Sequence, residues 1–277
     1  MHVRAFVALV VFAPLAGCAL ASWDGFAGGE PEASPEGGDA GTQARDAPPD
    51  EPTPADAPTG DASVGPPIAF VQVNAVSTVD VSLKTVSVPF LQRQTAGNLV
   101  VVAVGWYNTN VTLDTVKDSK GNVYRRAVGP TIMTGQNPVA HSLYYASNVV
   151  AAEPNTNTIT VEWGTAATEP DVRIAEYSGL DPVNPLDVAT AGSGKSFAAA
   201  TQAATTTHPR ALLFGAGATA GDYGAAGPDY TLRLITAQTS LVQDRTVTTQ
   251  GNYNASAPVT NDTAETPEWV LQLAVFH

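Results

Sequence analysis

The chain has 277 residues, 13 basic against 26 acidic, and a single cysteine. A formal charge of −13 argues against binding nucleic acid, for which a basic face is expected. One cysteine excludes a disulfide within the chain.

The first twenty residues read MHVRAFVALVVFAPLAGCAL: Arg4, an apolar run from Ala5 to Ala13, then small residues. That order is the one a secretory signal uses, and the apolar run is shorter than the roughly 20 residues a membrane-spanning helix needs. Leu15-Ala16-Gly17-Cys18 resembles the lipobox of bacterial lipoproteins. The resemblance implies a signal peptide over 1–17, lipid on Cys18 and, with Ala19 rather than Asp behind it, transfer to the outer membrane or cell surface.

Residues 18–67 read as a linker. From Ala19 to Pro67 there are ten acidic residues against Arg45 alone, and little beyond Trp23 and Phe26 is large and apolar. Such a segment cannot offset the entropy of ordering, and proline with like-charge repulsion extends it. Its full reach is about 160 Å at most. We expect a disordered stalk.

Residues 68–277 carry 11 basic and 16 acidic residues, so the remainder is only mildly acidic. β-branched and aromatic runs punctuated by Gly, Asn, Asp and Pro predict strands at 68–74, 79–90, 98–106, 111–117, 122–128, 140–147, 157–163, 171–179, 210–218, 230–237, 241–249 and 268–276. No stretch sustains a helical period with caps. The fold class expected is all-β: an antiparallel β-sandwich, jelly-roll-like. NLVVVAVG predicts a central strand covered on both faces, TITVEW one with a wet face. TVKDSKGNVY predicts a hairpin, with Gly121 at positive φ. Asp118 and Asn122 also offer oxygens to calcium, but the acidic density of a dedicated loop is missing, and a plain turn is expected. In order, TAGNLVVVAVGW, KDSKGNVY, SLYYASNVV, VRIAEYSGLDPVNPLDV, ALLFGAGA, GNYNASAP and WVLQLAVF resemble a β-sandwich domain of many secreted bacterial proteins. That resemblance implies fold and location, and carries no catalytic residue with it.

ATAGSGKS (189–196) ends like a nucleotide-binding loop. Gly194, Lys195 and Ser196 fit that motif, but Ala189 stands where its first glycine belongs and no strand-then-helix context surrounds it. A loop without nucleotide is expected. His141 and His208 have no further His or Cys at metal-ligand spacing, so no metal or other cofactor is expected, and surface or turn histidines are. Glu162, Glu176, Asp181 and Asp187 are the carboxylates a hydrolase would draw on. Glu176 lies within a strand, where partial burial would raise its pKa. Asp181-Pro182 and Asn184-Pro185 look like a rigid surface turn. The aromatic residues point to binding instead. Trp106-Tyr107 ends the most apolar strand and leads into Asn108-Thr109-Asn110; neighbours on a strand face opposite ways, so one ring of the pair faces out. Trp106, Tyr107, Asn108 and Asn110 are therefore the candidate ligand residues, with Tyr144-Tyr145, Tyr223, Tyr230 and Tyr253 as further exposed rings and Trp163 and Trp269 as core. The expected function is non-enzymatic: a lipid-anchored envelope domain that binds glycan or an envelope protein. The alternatives are a structural component without a ligand and a carboxylate-dependent hydrolase of polysaccharide.

Overall fold

A computed structural model describes residues 65–277 apart from 136, 137 and 264. The signal segment, Cys18 and the linker up to residue 64 lie outside the described residues. Every regular element among the described residues is a strand and every pairing is antiparallel, so the all-β expectation holds.

The first half of the domain contains β1 (Ala69–Ser77), β2 (Ser82–Pro89), β3 (Leu99–Tyr107), β4 (Leu113–Asp118), β5 (Arg125–Met133), β6 (Val139–Ala146) and β7 (Thr158–Ser178). Two strands predicted at 157–163 and 171–179 are one, the 21-residue β7, which serves two groups of partners. Its residues 158–163 lie between β2 and β4, and its C-terminal part lies between β1 and β3 in the order β1-β7-β3-β6-β5. β2 skips from Leu83 opposite Ala167 to Thr85 opposite Glu162, so the chain turns from one pairing region to the next around Gly164. Alternation explains the result. Val100, Val102, Val104 and Trp106 of β3 join Ile159, Val161 and Trp163 in one apolar cluster, while Leu99, Val101 and Ala103 point into another. β3 is covered on both faces, as its composition predicted.

The second half runs β8 (Leu186–Lys195), β9 (Ala198–Ala200), β10 (Ala204–Thr205), β11 (Ala211–Thr219), β12 (Asp222–Tyr223), β13 (Thr231–Thr236), β14 (Ser240–Val247), β15 (Asn252–Tyr253), β16 (Ser256–Thr260) and β17 (Glu268–Phe276). β13-β14-β11-β17-β8 form a five-stranded sheet. Leu212, Phe214, Ala274 and Phe276 of this sheet meet Leu99, Val101, Ala175 and Tyr177 of the first, so the two sheets share one core. On the opposite face Leu213, Leu271, Leu273 and Val275 pack under the small strands through Ala199, Ala257 and Val259.

Two sequence expectations need correction. The turn after β4 forms, with Gly121 at φ 78°, but its arms do not pair: β4 bonds to β7 and β5 to β6. Asp118 organises that turn. Its Oδ1 accepts from the N–H groups of Lys120 and Asn122, and its Oδ2 accepts from Asn122 Nδ2, Tyr124 Oη and Asn157 Nδ2. Those donors occupy the oxygens a calcium ion would need.

ATAGSGKS is not a loop either; it lies within β8 and just past its end, paired to β17 from Leu186 opposite Phe276 to Lys195 opposite Glu268. Its glycines serve packing. A Cβ on Gly192 would run into the carbonyl of Ala200, and one on Gly194 would sit 2.9 Å from Trp269 Cζ2. Lys195 pairs with Glu268 at 3.1 Å, and Ser196 Oγ accepts from Trp269 Nε1. The strand escaped notice because small residues carry little β-propensity of their own; the close approach of neighbouring groups selects them.

Candidate functional site

The gap between the two large sheets changes character along its length. Near the start of β1 it is filled by Tyr177, Phe214, Leu212 and Phe276. Further along β7 the side chains on the same face are Arg173 and Asp171, opposite Ala103 and Gly105 of β3. There the core turns polar.

Arg173 is fully buried and donates through Nη1 to the carbonyls of Gly217 (3.0 Å) and Leu241 (2.7 Å) on the facing sheet. Its Nη2 lies 2.8 Å from Nε2 of His141, and its Nε lies 2.5 Å from Asp171 Oδ1 in an ion pair. A guanidinium can only donate, so His141 Nε2 accepts and Nδ1 carries the proton, which it gives to Gln272 Oε1 at 2.7 Å. Gln272 Nε2 then donates to Thr131 Oγ1 and the carbonyl of His141. Burial and the adjacent Arg173 charge hold the His141 pKa down to about 3. The expectation of a surface histidine fails: His141 belongs to a strand covered on both faces, which a lone His in a polar-looking sequence does not announce.

Beyond this network the sheets part. A cavity of about 240 Å³ opens at their end, with Asp171 and Gly105 at its floor and Tyr107, Val79, Glu169, Thr239 and Ser240 around it. Asp171 is 7% exposed, its Oδ2 accepting from Thr236 Oγ1 at 2.5 Å. Tyr107 is half-buried against Met133, Val139, Ala218 and Val270. Its hydroxyl pKa is raised by burial and by the Glu169 carboxylate. Of the eight non-glycine residues at positive φ among the described residues, five adjoin this end: Asp80, Asn108, Glu169, Ala237 and Gln238. Ala237 and Gln238, with φ of 47° and 63°, are the central residues of the turn in the three-residue β13–β14 connection, closed by Thr239 N–H to Thr236 O, a geometry that normally selects Asn-Gly. Tyr223 N–H to Gln238 O at 2.7 Å and Thr219 N–H to Thr239 O at 2.9 Å hold it in place. Residues kept in such conformations gather where a surrounding structure has a geometry to maintain.

The candidate residues divide here. Tyr107 lines the cavity; Trp106 shares the strand, but its ring is core, 2% exposed, edge-on to Trp163 with Nε1 donating to the Val111 carbonyl. Asn108 is committed to the turn, since its Oδ1 accepts from Thr168 N–H and its Nδ2 donates to Ala166 O. Asn110 is exposed in the same turn and does not line the cavity. The wider aromatic patch does not form: Tyr145 and Tyr223 are buried, and Tyr144, Tyr230 and Tyr253 pack against core clusters. Sequence reasoning passed over Glu169 and Asp171.

The four carboxylates considered for hydrolysis do not converge on a cleft. Glu162 is on the open face of β7 with Lys117 at 2.8 Å. Glu176 is fully buried, its oxygens accepting from Gln72 Nε2, Asn98 Nδ2 and Thr95 N–H. Asp181 accepts from Val183 and Asn184 N–H in the expected turn, which holds its pKa low; Asp187 binds Thr207.

Comparison with family models, with curated proteins and with solved structures finds no match for this chain.

Proposed function

We propose that the protein is a lipid-anchored component of the cell envelope, attached through Cys18, that presents its β-domain on an acidic stalk for binding glycan without catalysis. The observation that carries this reading is the position of the cleft relative to the point where the linker joins the domain. Arg210 grips that junction: Nη1 donates to the carbonyls of Gly65 (2.6 Å) and Pro66, and Nη2 to Gly179 O. Gly179, at φ 81°, has no side chain because a Cβ would strike the Pro67 carbonyl. β1 then runs from Ala69 opposite Ser178 to Ser77 opposite Asp171. Eight residue steps of about 3.3 Å separate the junction from the cleft by about 26 Å. Cleft and junction therefore lie at opposite ends of β1, an arrangement that suits binding at a surface. The lipobox resemblance and the linker composition support the anchor itself.

Two measurements test it. Cells expressing the protein are labelled with a fatty-acid probe, and Cys18→Ser is expected to abolish incorporation; label retained by the variant overturns the anchor. The full chain is screened on a glycan array, and absence of any signal from folded protein overturns glycan as the ligand.

A further inference from the structure

The cleft is blind. Its floor is Gly105 paired with Asp171, and beneath that pair the Arg173–His141–Gln272 network fills the space between the sheets. A groove that grips the middle of a polymer must be open at both ends, whereas this cavity ends inward on that pair and network. Its volume of about 240 Å³ falls below the ~300–1,000 Å³ usual for sites that enclose drug-sized ligands. One sugar ring fits that scale better than several.

Its chemistry is also one-sided. Among the described residues no Lys, Arg or His side chain lines it, while two carboxylates, Glu169 and Asp171, do. Arg173, the nearest cation, is turned inward and committed to two carbonyls, His141 and Asp171. Asp171 is held by Arg173 and Thr236, each of its oxygens meeting one of these two partners. Oδ1 is buried against Arg173, so Oδ2 is the oxygen that keeps an acceptor direction for a hydroxyl from the cavity side. Val79, 62% exposed at the rim, and the Tyr107 ring supply apolar surface for the ring's C–H face.

Resting on the glycan reading above, we propose that the cleft captures a glycan end-on, taking one uncharged terminal sugar, one hydroxyl of which donates to Asp171 Oδ2 while Tyr107 contacts its ring and hydrogen-bonds through Oη. Uronic and sialic acids are rejected by Asp171 and Glu169, because a third carboxylate would enter a cavity without a cation to meet it.

The test titrates the full chain in detergent micelles with the methyl glycosides of glucose, galactose and mannose, and with methyl glucuronide, by ligand-observed NMR. At least one neutral glycoside is expected to bind with a dissociation constant of about a millimolar, and the glucuronide at least about tenfold more weakly. Asp171→Asn should weaken the neutral glycoside by about tenfold or more. Tyr107→Phe, which keeps the ring and its packing, should weaken it by about threefold to tenfold with an unchanged melting temperature; it decides the matter if Asp171→Asn does not fold. Glycan-array binding that survives in folded Asp171→Asn and Tyr107→Phe overturns end-on capture and leaves the glycan reading standing. Stronger binding of the glucuronide than of every neutral glycoside overturns the charge argument. No binding to any glycan by folded wild-type protein overturns both readings.

Discussion

Arg173 and His141 meet inside the protein, Nη2 to Nε2 at 2.8 Å, with neither side chain accessible to water. A permanent cation against a histidine nitrogen requires that histidine to be neutral. Its depressed pKa therefore follows from geometry. In the unfolded chain the same imidazole takes a proton near pH 6.5. Between about pH 6.5 and about 3 the unfolded state binds the proton and the folded state does not, so stability falls with acidification in that window.

That linkage is measurable. Urea unfolding at pH 7, 5 and 4 should show stability declining, with His141 contributing up to about 1.4 kcal/mol per pH unit below 6. His141→Gln has no proton to gain there, so its stability should decline less steeply than that of wild type. Equal slopes in the two proteins would contradict the neutral-histidine assignment.

The glycine and lysine positions of ATAGSGKS separate packing from phosphate binding. Gly194→Ala should destabilise by about 1–3 kcal/mol, because the added methyl overpacks against the Trp269 ring. Lys195→Ala removes only an exposed ion pair with Glu268 and should change stability by less than about 1 kcal/mol. ATP with magnesium should leave the melting temperature of the wild type unchanged. A rise of several degrees would restore the nucleotide reading.

Trp106→Ala should lower stability by about 3–5 kcal/mol, as expected for an aromatic ring removed from a packed core. Tyr107→Ala should cost less, about 1–2 kcal/mol, since its ring is only half-buried. Chemical denaturation of both variants checks this. Equal losses would mean that Tyr107 is as much a core residue as its neighbour.

Asp118→Ala strips an acceptor from five donors, Asn157 Nδ2 and Tyr124 Oη among them, and should destabilise by about 2–4 kcal/mol. Neither calcium nor a chelator should shift the melting temperature of wild-type protein. A calcium-dependent rise lost in Asp118→Ala would show that the carboxylate holds a cation rather than the turn.

Strand content, the doubly covered β3 and the Asp118–Gly121 turn were legible because each depends on local pattern: an unbroken apolar run, alternation, or a glycine where φ must be positive. The Asp181 turn was readable for the same reason, as its carboxylate bonds its own neighbours. Of the site, the sequence pointed to Tyr107 through strand alternation, which sends it and Trp106 to opposite faces; it did not say which face opens on water. That choice depends on β7 turning near Gly164 and bringing Trp163 over Trp106. Asp171, Arg173 and His141 looked like ordinary strand residues, because their partners Gln272, Gly217 and Leu241 come from the other sheet, at separations of 44 to 131 residues. β8 was missed on the same grounds: its glycines answer to Ala200 and Trp269, not to the residues beside them. The sequence by itself determined what short-range sterics and hydrophobic alternation impose, namely an antiparallel all-β domain behind a linker composition unsuited to a core. Only the tertiary structure decided where the two large sheets close on each other and where they part, because that is set by contacts between residues that the chain keeps far apart.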